Sequence, residues 1–110
     1  MVDQSVIEIV RRYLGVLPGV GIRASRAVLF GSFARGEAKE ESDIDLIVLA
    51  PEFDGVRTIE MVKQLWRATL KADNRIEPIP CGEKEWETED GRPILDIARR
   101  DGIMISIAAE

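Results

Sequence analysis

Hydrophobic residues near the start of the chain recur with the spacing of an amphipathic helix. Between positions 6 and 17 the apolar side chains follow one another at intervals of three and four residues, and Asp3 or Ser5 could cap the helix. The stretch from 15 to 21 holds three glycines and Pro18, so the helix is predicted to end near Gly15. The chain is therefore expected to open with one helix that packs its apolar face on a core.

Three later segments have the composition of strands. Residues 27–30 are fully apolar and precede a glycine, which predicts a first strand. Residues 43–49 are rich in leucine and β-branched residues and end shortly before Pro51, which predicts a second, central strand. Residues 75–80 contain two prolines, which cannot donate to a strand ladder, so a third strand is predicted at the edge of the sheet.

Two further helices are predicted between and after these strands. One runs from 58 to 71, with Thr58 as its cap. Six residues are predicted to form its inward face: Ile59, Val62, Leu65, Trp66, Thr69 and Leu70. The other has Pro93 in its first turn and ends before Gly102, and an apolar tail follows at 103–107. The alternation indicates an α/β (α+β) fold, a small mixed sheet of about three to four strands with helices packed on it, in a single domain spanning 1–110.

Composition narrows the class of protein. The chain is 45% hydrophobic and 32% charged and contains no apolar run that could span a bilayer, so a soluble protein with no membrane partner is expected. A net charge of −5 argues against direct binding of duplex nucleic acid, because such binding needs lysine and arginine to neutralise phosphates. The start of the chain lacks a secretory signal and Cys81 is the single cysteine, so a cytoplasmic location is expected. The chain has no histidine, so a zinc site is not expected and acid–base chemistry rests on carboxylates.

Asp43 and Asp45 stand at the start of the second predicted strand. Because side chains alternate along a strand, both carboxylates project from one face about 7 Å apart at their α-carbons, while Ile44 points into the core. Two adjacent like charges disfavour ionisation unless a cation joins them, and Mg²⁺ prefers oxygen ligands. The pair is therefore a candidate Mg²⁺ site, with Mn²⁺ as a second option. An isolated pair of this kind can also simply begin a strand.

Gly31 and Ser32 leave the first strand and open a predicted short helical turn. Unpaired backbone N–H groups at the start of such a turn can receive a phosphate, and Ser32 adds a hydroxyl donor. Arg35 could reach the same phosphates or could pair with Glu37, and Gly36 would allow a sharp exit. Gly31, Ser32, Arg35 and Gly36 are thus the predicted nucleotide-binding residues, which together form a cradle for a triphosphate.

The order Gly31-Ser32, ten residues, then Asp43-x-Asp45 resembles the signature of the DNA polymerase β superfamily of nucleotidyltransferases. The fuller string, with Arg35-Gly36 after the first pair and Leu46 after the second, is similar to the minimal nucleotidyltransferase branch of that superfamily. The resemblance implies the nucleotidyltransferase fold, which is like the palm of polymerase β.

The resemblance also implies a reaction. The family uses a third carboxylate on a later strand, and Glu77 is the matching residue, although aspartate is commoner there. Asp43, Asp45 and Glu77 are then the predicted catalytic and metal-binding residues, holding two Mg²⁺ ions. The implied chemistry is in-line attack by an acceptor hydroxyl on the α-phosphorus of a nucleoside triphosphate, with ATP expected, and release of pyrophosphate.

A partner follows from the same resemblance, because minimal nucleotidyltransferases are commonly encoded with a small helical HEPN protein. The chain is then expected to be an antitoxin enzyme that adenylylates a HEPN toxin. Two other hypotheses stay open: a non-catalytic module that neutralises its partner by occlusion, and a transferase for a small molecule or RNA end that needs a second subunit. Intact Asp43, Asp45 and Ser32 argue against occlusion. The sequence leaves open the preferred base, the acceptor, homo- or hetero-oligomerisation, and activity without a partner.

The remaining conspicuous residues have ordinary structural explanations. Residues 37–41 are predicted to form a solvated loop. Trp66 and Trp86 are predicted to be core or partner-facing aromatics, Cys81 a small buried hydrophobe, and Tyr13 an inward-facing packing residue.

Overall fold

The computed structural model describes residues 3–88 and 92–107, which form nine helices and strands and three short 3₁₀ turns. In chain order the elements are α1 (Gln4–Val16), β1 (Arg26–Phe30), α2 (Ser32–Arg35), β2 (Ile44–Leu49), α3 (Ile59–Arg67), β3 (Ile76–Cys81), α4 (Glu83–Glu87), α5 (Pro93–Asp101) and β4 (Ile103–Ser106). The 3₁₀ turns lie at Leu17–Val20, Pro51–Asp54 and Ala68–Lys71.

The strands form one mixed sheet in the order β3-β2-β1-β4. β1 pairs antiparallel with both β2 and β4, whereas β2 pairs parallel with β3. The predicted mixed sheet is confirmed, and β3 lies at its edge. Its two prolines are tolerated there because an edge strand has no second neighbour that needs their missing N–H groups. β4 was predicted only as an apolar tail, and it becomes a strand because it covers the free edge of β1.

Side-chain alternation along β1 and β2 supplies the sheet with two hydrophobic faces. Leu29, Leu46 and Val48 point to the face covered by α1 and α3. Val28 and Ile47 point to the opposite face, covered by α5 and flanked by Trp86 of α4. β1 and β2 are therefore buried on both faces, which accounts for their continuous apolar sequences.

Two helices are capped by side chains that immediately precede them in the sequence, as predicted. Asp3 accepts a hydrogen bond from the Ser5 amide at the start of α1, and Thr58 accepts one from the Met61 amide at the start of α3. The start of α4 is different, because its Lys84 amide donates to the carboxylate of Asp54, thirty residues earlier in the chain. The Gly82 amide also donates locally to the Glu85 carboxylate at 3.2 Å, but glycine offers no capping side chain of its own, and this helix was not predicted.

The predicted inward face of α3 is partly wrong. Leu65 and Thr69 are buried as predicted, and the adjoining Ala68 is buried as well. Ile59, Trp66 and Leu70, however, are 75%, 47% and 80% exposed. The apolar surface of this helix is wider than the strip that contacts α1 and the sheet, so part of it faces solvent.

No helix in the described part of the chain is long and apolar enough to cross a membrane.

Candidate functional site

Gly31 makes the turn that connects β1 to α2. Its backbone has φ of 75° and ψ of −153°, a conformation essentially restricted to glycine. A Cβ atom at this position would overlap Oδ2 of Asp45, so the absent side chain also makes room for that carboxylate. The turn and the carboxylate predicted to belong to one site are therefore in direct contact.

Asp45 is held inside the sheet by pairing on both sides. It lies opposite Phe30, the last residue of β1, and opposite Glu77 of β3. Burial raises the pKa of the Asp45 carboxyl, the neighbouring charge of Asp43 raises it further, and Arg35 opposes the shift. The environment of this half-buried carboxylate thus disfavours its ionisation unless positive charge is nearby.

Asp43 and Glu77 complete an acidic group with Asp45 at the end of the sheet where β1 finishes and β2 and β3 begin. Asp43 is exposed immediately before β2, and Glu77 is the exposed second residue of β3. The pKa of Glu77 is raised chiefly because its protonated carboxyl can donate a hydrogen bond to Asp43, and then by burial and the charges of Asp43 and Asp45. The three residues predicted to act together are therefore within electrostatic reach of one another on one side of the sheet.

The donor set of this acidic group suits a divalent cation. It offers only carboxylate oxygens, the ligands that Mg²⁺ prefers, and a cation would relieve the mutual repulsion. Within residues 3–88 and 92–107, however, no three acidic, histidine or cysteine side chains are arranged to surround a single ion. The three carboxyl groups are close enough to affect the pKa of Glu77, but they do not together surround one point.

The remaining predicted nucleotide-binding residues lie on α2, next to the acidic group. Ser32 is the first residue of the helix, and its early amides are available because a helix leaves its first N–H groups without intrahelical partners. Gly36 ends the helix with φ of 72°, which is the sharp exit predicted for it. Arg35 pairs with Glu37 at 2.9 Å, which is the second of the two roles predicted for it. Its charge also opposes the rise in the pKa of Asp45.

Arg75 is a residue near the site that the sequence did not single out. Its guanidinium pairs with Asp73 at 2.9 Å, donates to the Glu40 carbonyl at 2.9 Å and lies 5.9 Å from the ring centre of Phe33. Its own carbonyl accepts from the Ile44 amide at 2.8 Å. Arg75 thereby ties α2 and the loop before β2 to the start of β3. Only the pattern Asp73-x-Arg75 beside a predicted strand could have pointed to it.

Several residues were predicted to have structural rather than catalytic roles, and their positions agree with this. Cys81 is fully buried, and burial raises the pKa of its thiol to about 11. Tyr13 is buried and donates to the Leu65 carbonyl at 2.6 Å, which joins α1 to α3. Trp86 packs beside the α5 face with the Arg99 guanidinium 4.8 Å from its ring centre. Residues 37–41 form the predicted exposed loop.

Comparison with known proteins adds three findings. A family model described as the nucleotidyltransferase domain matches residues 6–95. A protein of Methanocaldococcus jannaschii named "Putative protein adenylyltransferase" is 40% identical over 58 residues, which are 52% of this chain and 59% of that protein. The match therefore spans less than two thirds of that relative.

The third finding concerns the fold. The 1.40 Å crystal structure of a protein of Sulfolobus solfataricus titled "putative nucleotidyltransferase" superposes with a TM-score of 0.61, covering 92% of this chain and 82% of that one. At 16% identity the likeness shows the fold alone. The predicted fold, a mixed sheet with helices of the nucleotidyltransferase type, is confirmed.

Proposed function

The chain belongs to the nucleotidyltransferase domain family, and on this basis we propose that it transfers AMP from ATP to a hydroxyl group of another protein. The observation that carries the proposal is the contact between the Gly31 turn and Asp45, with Asp43 and Glu77 alongside. The printed name of the M. jannaschii relative supports adenylyl transfer to a protein acceptor.

The acidic group has a defined part in this proposal. Asp43, Asp45 and Glu77 would hold two divalent ions, with Mg²⁺ preferred because all three ligands are carboxylates. When bound, the ions supply positive charge that stabilises the entering and leaving oxygens. Burial and then the charge of Asp43 raise the pKa of Asp45, while the hydrogen bond to Asp43, burial and the two aspartate charges raise that of Glu77. The repulsive part of these shifts supports the proposal, because a cation bound at this end of the sheet would relieve it.

The α2 turn binds the triphosphate in this proposal. The hydroxyl of Ser32 and the first backbone N–H groups of α2 hold the distal phosphates beside the carboxylates. Arg35 would exchange its pairing with Glu37 for a phosphate. Both side chains of that pair are largely exposed, 48% and 65%, and such pairs contribute about 0–1 kcal/mol, so the exchange costs little.

The proposed step conserves atoms and charge. The acceptor oxygen forms a bond to the α-phosphorus of ATP, and the bond from that phosphorus to the bridging oxygen of pyrophosphate breaks. The acceptor proton passes to the Glu77 carboxylate and then to water. The products are the adenylylated protein and pyrophosphate.

The acceptor in this proposal is a HEPN-type helical toxin encoded beside the chain, which adenylylation silences in the cytoplasm. The support is the likeness to minimal nucleotidyltransferases carried by Gly31-Ser32, Arg35-Gly36 and Asp43-x-Asp45.

The test is label transfer from nucleotide to protein. The purified chain is incubated with Mg²⁺, the neighbouring encoded protein and each nucleoside triphosphate labelled at the α-phosphate. Label from ATP should become covalently attached to the partner, and Asp43→Asn should abolish it. Glu41→Gln is the matched control, because it removes the same charge from the exposed loop two residues away.

Two results would contradict the proposal. Equal labelling by Asp43→Asn and wild type would remove Asp43 from the reaction. Neutralisation of the partner with no label on it, equally by both proteins, would favour the occlusion hypothesis.

A further inference from the structure

Four apolar side chains lie at intervals of three and four residues along α3 and the 3₁₀ turn after it. They are Ile59, Val62, Trp66 and Leu70, spaced by three, four and four residues, and we name them the α3 ridge. Three of the four are about half exposed or more, at 75%, 47% and 80% for Ile59, Trp66 and Leu70. Single exposed apolar residues are normal, whereas three of them along one helix make that helix a candidate interaction surface.

The charges beside the α3 ridge are mostly positive. Lys63 and Arg67 lie four residues apart on one border of α3, and Lys71 follows at the end of the 3₁₀ turn. Glu60, paired with Arg67 at 3.3 Å, is the one acid among them. This basic border stands out on a chain with a net charge of −5. A partner with an apolar strip and an acidic border would complement both features of the surface.

α3 leads to the end of the sheet at which the acidic group lies. Because β2 and β3 are parallel, the chain must return from the end of β2 to the start of β3, and α3 makes that return. Leu70 and Lys71 therefore lie toward the end of the sheet where Asp45 and Glu77 are paired, although Asp45 points with Ile47 to the α5 face, opposite α3. A protein seated along α3 would have to reach around this end of the sheet to present a hydroxyl to the acidic group.

A second copy of the chain complements this surface poorly. Two α3 ridges packed antiparallel about a twofold axis would bring the same border of each helix together. That border carries the three cations Lys63, Arg67 and Lys71 and the single acid Glu60, so more like charges than opposite charges would meet. The basic border thus favours a different, acidic partner.

We propose that the α3 ridge is the docking surface for the acceptor protein, and that the acceptor presents an amphipathic helix with acidic residues along its border. The identity of the docked protein as the acceptor rests on the proposed function, whereas binding at the ridge does not require catalysis.

Trp66 is a built-in probe for this surface. In a Trp86→Phe background it is the remaining tryptophan of the two, and phenylalanine keeps an aromatic ring beneath Arg99. Two synthetic helical peptides are titrated, each with leucines at i, i+3, i+4 and i+7 and with either glutamates or lysines along the border. The acidic peptide should move Trp66 emission to shorter wavelength and bind about tenfold or more tightly than the basic one.

Matched variants locate the binding. Ile59→Ser with Leu70→Ser should weaken the acidic peptide about tenfold or more and leave the circular dichroism spectrum unchanged, because both side chains are exposed. The control is Ile97→Ser with Met104→Ser, which alters two other exposed apolar residues and should leave binding unchanged. Equal affinity for both peptides, no binding, or unaltered binding by the ridge variant would overturn the proposal. A concentration-dependent dimer that buries Trp66 without peptide would overturn it in favour of a second copy.

Failure of the docking surface and failure of the enzyme can be told apart. Asp43→Asn should bind the acidic peptide as wild type does. In the label-transfer assay, the ridge variant should raise KM for the protein acceptor about tenfold and leave KM for ATP unchanged. Peptide binding without any label transfer by the wild type would contradict the proposed adenylyltransferase activity but support the α3 ridge as a docking surface. Label transfer that the ridge variant does not alter would support the activity but contradict the docking surface.

Discussion

Gly31 and Gly36 both have positive φ, yet only Gly31 has a neighbour that a side chain would displace. Nothing lies within 4 Å of a Cβ built on Gly36, whereas a Cβ on Gly31 would overlap the Asp45 carboxylate. Gly36→Ala should therefore cost about 1–2 kcal/mol for left-handed backbone alone. Gly31→Ala should cost more and should also reduce Mg²⁺ binding, as measured by urea unfolding and titration with Mg²⁺. Equal losses of stability with unchanged Mg²⁺ affinity would show that Gly31 does not seat Asp45.

The charge of Asp45 should destabilise the metal-free protein at neutral pH. Since folding raises the pKa of this carboxyl, the folded state binds its proton more tightly than the unfolded state does, and stability falls as pH rises above the ordinary aspartate pKa of 3.8. Asp45→Asn should therefore raise Tm in EDTA at pH 7 by a few degrees. The change is small because a partly solvated site contributes less than about 1 kcal/mol. The gain should shrink as pH falls below about 4, where both states of the wild type are protonated.

Mg²⁺ should reverse the order of those two proteins. At a hundredfold excess over its Kd, a ligand that binds only the folded state adds about 2.7 kcal/mol, enough to raise Tm by roughly ten degrees. Wild type should gain this increment, Asp45→Asn should lose most of it, and Glu41→Gln should gain as much as wild type. Thermal melts with and without Mg²⁺ measure the effect, and parallel shifts in all three proteins would place the ion elsewhere.

At the scale of elements, α3 offers a matched pair of leucines. Leu65 is fully buried and Leu70 is 80% exposed, although one apolar pattern predicts both to face inward. Leu65→Ala should destabilise the protein by about 2–5 kcal/mol, as other core truncations do. Leu70→Ala should stay within about 0.5 kcal/mol of wild type. Equal losses in urea unfolding would restore the inward orientation predicted for Leu70.

The elements that could be predicted are those whose pattern is contained in their own residues. The apolar runs of β1 and β2, the prolines of β3 and the caps Asp3 and Thr58 lie within or beside their elements. β4 depends on an edge of β1 formed far away in sequence, and α4 depends on Asp54. Periodicity gave the apolar side of α3 but could not show how much of it finds a partner within the chain.

The same limit applies to the candidate site. Gly31, Ser32, Asp43 and Asp45 form a local pattern, and the structure brings Gly31 and Asp45 into contact. Glu77 was reached only through the resemblance, and its position opposite Asp45 comes from the β2–β3 register. The contacts of Arg75 with Glu40 and Phe33 join segments that are distant in the sequence, so no local pattern could predict them.

At the scale of the whole molecule, one sheet separates two hydrophobic clusters. The larger lies between the sheet, α1 and α3, and the smaller lies against α5. They share a backbone, because alternate residues of β1 and β2 contribute to opposite clusters. The radius of gyration, 13.0 Å, matches the value of about 13 Å expected for one compact domain of this length. Losing either cluster should therefore free the strands that hold the other.

This coupling predicts that both faces unfold in a single transition. Trp66 reports on the α3 side of the sheet and Trp86 on the α5 side, so Trp86→Phe and Trp66→Phe each leave one reporter. Urea unfolding of each variant is followed by fluorescence and by far-ultraviolet circular dichroism. The two signals should give the same midpoint and slope within each variant, as a two-state domain requires. If the Trp86 signal changed at lower urea than the backbone signal while that of Trp66 did not, the α5 face would be a separate unit, and the prediction of one domain over 1–110 would be wrong.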